Sequence, residues 1–215
     1  MKSYDLTSLH ARDVYKLVTG VVQPRPIAWV STVSESGVRN LAPFSFFTIA
    51  SREPMTLFLS IGPTDRPGHG VKDTLANVLA TRELVVNIVS APMLQAMVRS
   101  SAEVPDHVDE FDYAGVGAAA SEEVAPPRVE RALVAIECRV DEVRRLGTDT
   151  AVFARALRLH AGDDVVNAAH HVDGSVLQPV GRTAGATYCI DPVAVPSPPV
   201  PQWAPAPHDR EAQNT

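Results

Sequence analysis

Three stretches bring polar side chains into settings that could hold a ligand: QPRPIAWVST at 23–32, NLAPFSFF at 40–47 and RPGHGVKDTLANV at 66–78. In the third, Lys72 precedes Asp73 and Thr74, either of which can cap a helix. The first N–H groups of a helix are unpaired and lie at the positive end of its dipole, so with Lys72 beside them they form a seat for a phosphate. A plain cap next to a solvated lysine gives the same pattern. In the second stretch Pro43 removes a ladder donor, and Ser45 sets a small hydroxyl among Phe44, Phe46 and Phe47. Free backbone groups there could address the edge of a heterocycle, or the phenylalanines could simply pack a barrel end. Arg25, stiffened between Pro24 and Pro26, can offer a forked contact to a phosphate or ring carbonyl, or form a surface ion pair. A mostly apolar pocket with a few such donors is how proteins fix amphiphilic ligands.

These residues need a scaffold, and the hydrophobic pattern supplies one. Apolar positions between Tyr4 and Thr19 have a loose helical spacing. Ile27 to Val33 and Val38 to Ile49 read as two strands of a hairpin across SESG, and Met55 to Ile61 as a third, buried strand. A helix from Asp73 or Thr74 carries Leu75, Val78 and Leu79 on one face; a strand follows at Leu84 to Ser90, and Pro92 opens a second helix. Ser101 to Pro127 is a polar excursion able to cover a site. Its acidic run, Asp106, Asp109, Glu110 and Asp112, reads as a solvated loop. From Leu133 to Val143, Val134, Ile136, Cys138 and Val140 alternate with Glu137, Arg139 and Asp141, giving a strand with one wet face, and Val152 to Leu159 is its partner across LGTDT. Six or so strands joined mostly by short turns, with two interposed helices, predict a mainly β, antiparallel barrel with helical decoration rather than a doubly wound sheet. A single domain over 1–190 is expected, followed by a Pro-rich tail over 191–215 that holds seven of the 18 prolines.

Bulk properties narrow the chemistry. The 215 residues are 45% hydrophobic, enough for one substantial core. A net charge of −6 without a Lys/Arg cluster excludes nucleic acid and anionic membrane surfaces as partners. No apolar run approaches the ~20 residues of a bilayer span, and the start has no signal-peptide core, so a cytoplasmic setting is expected. Cys138 and Cys189 match neither a metal spacing nor a redox CxxC, and His170–His171 lack partners at ligand spacing, so no metal is expected. GxSxG, GxGxxG and GxxxxGK[ST] are all absent, which removes the serine-hydrolase, dinucleotide-fold and P-loop readings.

RPIAWVSTV, NLAPFSFF, KDTLANV and VVNIV, followed by DEFDYAG, PPRVERALVAIECRV and PVGRTAGATY, occur in the order and spacing of the flavin reductase-like proteins, which include flavoredoxin. The chain resembles that family from about Tyr15 to Tyr188. The resemblance implies a Greek-key FMN-binding split barrel that forms a homodimer, with FMN near the subunit interface. It sets Arg25, Pro26, Ser31 and Thr32 beside the cofactor, Asn40, Ser45, Phe46 and Phe47 around the ring system, and Lys72, Asp73 and Thr74 at the phosphate or ribityl chain. It implies an NAD(P)H-dependent oxidoreductase in which hydride passes to FMN, and electrons or reduced flavin pass to a monooxygenase or other redox partner. No catalytic acid or base is expected, because the flavin carries the chemistry. The alternatives are an FMN-holding carrier reduced by a protein partner, and a split barrel that binds another ligand.

Overall fold

The computed structural model describes residues 1–64, 66, 70–190, 194, 195 and 197. The Pro-rich tail beyond them, and the centre of the GPTDRPGHG loop, lie outside the described residues. The chain begins with helix α1 (Ala11–Val21) and short strand β1 (Arg25–Pro26), then runs through β2 (Ala28–Val33), β3 (Arg39–Phe44), β4 (Phe47–Arg52) and β5 (Met55–Ile61). Helix α2 (Asp73–Thr81) leads to β6 (Glu83–Ile88), a 3₁₀ turn over Ala91–Met93, and helices α3 (Leu94–Arg99) and α4 (Glu110–Ala114). Strands β7 (Ala118–Ala119) and β8 (Arg128–Val129) precede the long β9 (Val134–Leu146) and β10 (Asp149–Ala161), and α5 (Gly174–Leu177), β11 (Val180–Arg182) and β12 (Tyr188–Ile190) close the described chain.

Every strand pairing is antiparallel, and the main sheet has seven strands in the order β3-β2-β6-β9-β10-β5-β4. Strands β3 and β4 follow each other in the chain yet occupy opposite edges of this sheet. The extended run expected from Val38 to Ile49 is therefore two strands, broken at Ser45 and Phe46. Pro43 and Phe44 still lie opposite Trp29 and Ala28 of β2, and Ser45 and Phe46 then carry the chain from one edge to the other. The Ser60 N–H donates to the Phe46 carbonyl at 2.9 Å just beyond the step. The sheet curls around an apolar interior of Val30, Leu57, Leu59, Val78, Leu84, Val86, Cys138 and Val152 without closing at this point. A second cluster on the outer face, centred on Trp29, Leu41, Met97 and Phe111, is covered by α3 and α4. Trp29 is fully buried and satisfies its indole N–H on Ser100 Oγ at 2.8 Å. No helix among the described residues is long and apolar enough to cross a membrane.

The N-terminal helix begins at Ala11 rather than Tyr4, with His10 as its cap. The Asp73 helix is capped at Lys72 without any side-chain hydrogen bond, so neither Asp73 nor Thr74 plays the capping role expected from the sequence. The period-2 reading of β9 holds for Val134, Cys138 and Val140 inside and Arg139 and Asp141 outside, and fails at Glu137. That carboxylate is fully buried because the 121–127 loop folds over it. It accepts the N–H groups of Glu122 (2.9 Å), Glu123 (2.6 Å) and Val124 (3.2 Å) and lies 2.5 Å from His160 Nε2. Burial pushes its pKa up, but the Glu122 and Glu123 N–H groups and His160 outweigh burial and hold it below the ordinary 4.5. Alternation cannot register a cover made by a distant loop.

A depressed native pKa means that this contribution to stability is present above the unfolded-state value near 4.5 and fades as the pH falls below it. Glu137→Leu leaves three loop N–H groups without an acceptor. Urea unfolding at neutral pH is expected to show a loss of about 3 kcal/mol, with faster amide exchange at Glu122, Glu123 and Val124. Unchanged exchange there would show that the carboxylate does not hold the loop.

Candidate functional site

Strand register places Thr32 of β2 opposite Asn40 of β3. Their side chains start a buried polar network where β2, β3, α2 and α4 meet. Asn40 Oδ1 accepts Thr32 Oγ1 at 3.0 Å and Thr74 Oγ1 at 2.7 Å, and Asn77 Nδ2 donates to Thr32 Oγ1 at 3.0 Å. Asn40 Nδ2 donates to Glu110 Oε2, and the same oxygen accepts the Leu41 N–H at 2.5 Å. Asn40 is 6% exposed and Thr74 1%. No buried side-chain N or O among the described residues lacks a hydrogen-bond partner.

Beside this network lies a cavity of about 90 Å³ walled by Asn40 and Pro43 of β3, Thr64 and Arg66 of the preceding loop, and Lys72, Asp73 and Thr74 at the start of α2. Glu103 and Glu110 also line it. Its cations have carboxylate partners: Arg66 Nη2 is 2.6 Å from Asp73 Oδ1, and Lys72 Nζ is 3.2 Å from Glu103 Oε1. On the other side of Pro43 is a second hollow of about 250 Å³, reached by Arg25, Ser45, Tyr15 and Tyr188. Because Pro43 lines both, the two hollows flank the strand break as neighbouring parts of one edge. An apolar groove of about 620 Å³ runs over Phe47, Ile49, Met55, Ile136 and Leu159, with Pro26 at its margin.

The residues expected at a site thus fall into four groups. Asn40, Lys72, Asp73 and Thr74 share the first cavity. Arg25 and Ser45 share the second, with Arg25 Nε 3.4 Å from Ser45 Oγ, and Phe46 lies behind them against Tyr15 and the Arg25 guanidinium. Pro26 and Phe47 belong to the apolar groove. Ser31 and Thr32 are wholly enclosed, Ser31 donating to the Pro127 carbonyl at 2.5 Å, so they support the site from behind rather than line it. Arg25 is 8% exposed, and its Nη1 donates to the Thr19 and Val22 carbonyls at 2.7 and 2.8 Å. In this structure its guanidinium caps the end of α1.

Glu110 was not anticipated, because the acidic run around it reads as a solvated loop. Asp109 caps α4 through the Phe111 and Asp112 N–H groups, and the short helix turns Glu110, Phe111 and Ala114 inward together. The usable signal was Phe111 and Ala114 at one and four residues from Glu110, a helical face into which the acid falls. Asp109 also anchors the segment to β3, 2.5 Å from Arg39 Nε.

A model of the flavin reductase like domain matches residues 22–178. The chain belongs to that family. An uncharacterized Aquifex aeolicus protein is 38% identical over 175 residues, covering 81% of this chain and 88% of the relative. Nitrilotriacetate monooxygenase component B from Bacillus cereus superposes with a TM-score of 0.87 at 27% identity, covering 92% and 98% of the two chains. Pseudomonas fluorescens 2-nitrobenzoate 2-nitroreductase NbaA gives 0.84 at 26%, covering 96% and 100%. A split barrel domain protein of Shewanella frigidimarina shares the fold at a TM-score of 0.79 and 16% identity, covering 91% and 96%. The family's split barrel is the open, curled sheet described above.

Desolvation by burial pushes the Glu110 carboxyl up from 4.5 to about 7; the Asp73 charge adds to the rise, while the Leu41 N–H and Arg66 oppose it. A native pKa above the unfolded value means that stability from this group is fully present below about 4.5 and is lost as the pH rises through about 7. Urea unfolding at about pH 5 and about pH 8 should differ by up to about 3 kcal/mol on this account. Glu110→Gln, which keeps an acceptor for Asn40 and Leu41, is expected to lack that difference; an unaltered pH dependence would assign it elsewhere.

Proposed function

We propose that this flavin reductase family member binds FMN across the break between β3 and β4 and transfers hydride from NAD(P)H to it. Electrons or reduced flavin then pass to a monooxygenase or other redox partner. The observation that carries this reading is that a cavity at a helix start without a side-chain cap, flanked by Lys72, reaches Pro43, which it shares with the neighbouring hollow beside the strand break. The N–H groups at the start of α2 and the Lys72 ammonium suit a phosphate. Asp73 and Glu103 would have to give up Arg66 and Lys72 to it, a modest exchange because both pairs are partly exposed. The cavity of about 90 Å³ would take the phosphate end, and a flat ring system would continue over Pro43 and Ser45. The residues present fit the group.

The flavin, when bound, supplies the hydride-accepting centre. The chain's own part is placement. Asn40, fixed by Thr32, Thr74 and Glu110, holds the β3 edge in one position. The backbone N–H groups at the start of α2 and Lys72 would hold the anionic end, and the β3 edge at Pro43 would face a ring. Likeness to nitrilotriacetate monooxygenase component B supports onward delivery to a partner. A cytoplasmic setting, where NAD(P)H is available and thiols stay reduced, belongs to the same proposal.

A homodimer is part of it too. Strand β4 is a sheet edge, and Ile49 (62% exposed), Met55 (43%) and Leu159 (58%) open on the apolar groove. An apolar surface of this kind on an edge strand calls for a cover, and a second copy supplies one. Light scattering after gel filtration should give twice the chain mass, and the single-chain mass for Ile49→Asp/Leu159→Asp. A monomer in the unsubstituted protein would refute the dimer.

Adding FMN should raise the unfolding temperature, and anaerobic NADH or NADPH should then bleach the oxidised flavin's visible absorbance. Lys72→Gln is expected to weaken FMN binding about tenfold. Stabilisation by FMN with no bleaching by either nucleotide would favour the carrier fed by a protein donor; no stabilisation would exclude FMN.

A further inference from the structure

The hollow on the far side of Pro43 differs in kind from the phosphate cavity. It has one wall from α1, through Tyr15 and Lys16, and another from the closing pair β11–β12, through Arg182 and Tyr188. Ile27 and Met97 form an apolar floor. The two walls are tied to the barrel. Gln23 Oε1 accepts the Ala184 N–H at 2.9 Å, and Arg25 clamps the last carbonyls of α1. A Cβ on Gly181 would sit 2.9 Å from Cys189 Sγ and 3.0 Å from Pro24 Cβ, so β11 approaches β1 as closely as a side-chain-free residue permits.

Its charge is what sets it apart. The lining holds Lys16, Arg25 and Arg182 and, among the described residues, no carboxylate, whereas the phosphate cavity across Pro43 is lined by Asp73, Glu103 and Glu110. On a chain of net charge −6, a cation-only hollow is a local anion site that the overall balance does not predict. Arg25 is committed to backbone carbonyls, so recognition falls to the other two. Arg182 donates to Tyr188 Oη at 2.5 Å and to the Gly185 carbonyl at 2.6 Å, two of the five N–H donors of a guanidinium. It lies over the Tyr188 ring, 4.7 Å from the centroid, which holds the fork in place at the rim. Among the described residues Lys16 pairs with Asp13 alone, at 3.7 Å, an exposed pair that yields readily to a competing anion.

We propose that this hollow binds a planar organic carboxylate, a co-substrate seated beside the flavin, with its ring between Tyr15 and Tyr188 and its carboxylate on Arg182 and Lys16. The volume of about 250 Å³ suits one or two rings, not a dinucleotide. Pro43 and Ser45 line the same hollow, so the occupant lies against the strand break over which the flavin ring is placed. The inference rests on that placement for its role and on the cationic lining for its ligand class.

The probes are benzoate and its neutral isostere benzamide, titrated calorimetrically into the FMN-loaded and the FMN-free protein. Saturable benzoate binding to the FMN-loaded protein, about tenfold tighter than benzamide, is expected from two partly exposed charge contacts. Lys16→Gln should weaken benzoate severalfold and leave benzamide unmoved. Arg182→Gln should do the same, and because it also releases Tyr188 and Gly185, the exposed Lys16 variant keeps the test independent of any local disorder. Equal affinity for benzoate and benzamide, or no binding to either form, overturns the proposal. Benzoate that binds the FMN-free protein and is displaced competitively by FMN also overturns it, because the hollow is then the flavin's own. Should FMN not bind at all, charge-selective binding to the FMN-free protein upholds the carboxylate site while the flavin reading fails.

Discussion

The carboxamide of Asn40 is the point on which the architecture turns. One side chain accepts from a hydroxyl on β2 and from another on α2, and donates to a carboxylate on α4, all out of water. In a low-dielectric interior each of these bonds is strong, and each would be costly to leave unmade. The network therefore fixes the relative positions of a sheet edge, a helix start and a covering segment, and the first cavity is the space left between them. Glu110 is the expensive member, since its burial raises its pKa to about 7. The structure tolerates it because the Leu41 N–H and Asn40 amide converge on one of its oxygens.

The open seam of the barrel follows from the same region. The pairing of β3 ends at Phe44, one residue past Pro43, and from Phe47 the chain belongs to the opposite edge of the sheet. A closed barrel would satisfy those backbone groups internally; the split leaves an edge able to meet a flat ligand or a second subunit. The three hollows lie along this seam and differ by what lines them: mixed charge at α2, cations alone beside α1, and apolar side chains along β4.

Paired charges recur wherever a loop is fastened to the barrel. Arg39 reaches Asp109 and Asp112 on α4, Arg158 reaches Glu122 and Glu123, and Glu137 gathers the N–H groups of the 121–127 loop. The excursion from Ser101 to Pro127 is held by these ion pairs and carboxylate contacts together with the apolar side chains it buries, Val104, Phe111, Ala114 and Val124. Cys138, by contrast, is a plain core residue whose thiol burial pushes up to about 12.

Much of this was legible in the chain itself. Alternation in Leu133 to Val143, the β-rich run at Ile27 to Val33 and the helical face of Leu75 and Val78 fixed the elements, because local burial periodicity records which side of a strand or helix faces the interior. The ordered blocks from RPIAWVSTV to VGRTAGATY carried the family. Tertiary structure alone decided that Val38 to Ile49 divides between two sheet edges, that Glu137 and Glu110 are buried, and that Arg25 turns toward α1. Burial of Glu137 depends on the loop at 121–127 and that of Glu110 on the β3 edge some 70 residues earlier, while Arg25 turns on the helix end at Thr19 to Val22 just before it; a burial period within one element carries no information about what another element will lay over it.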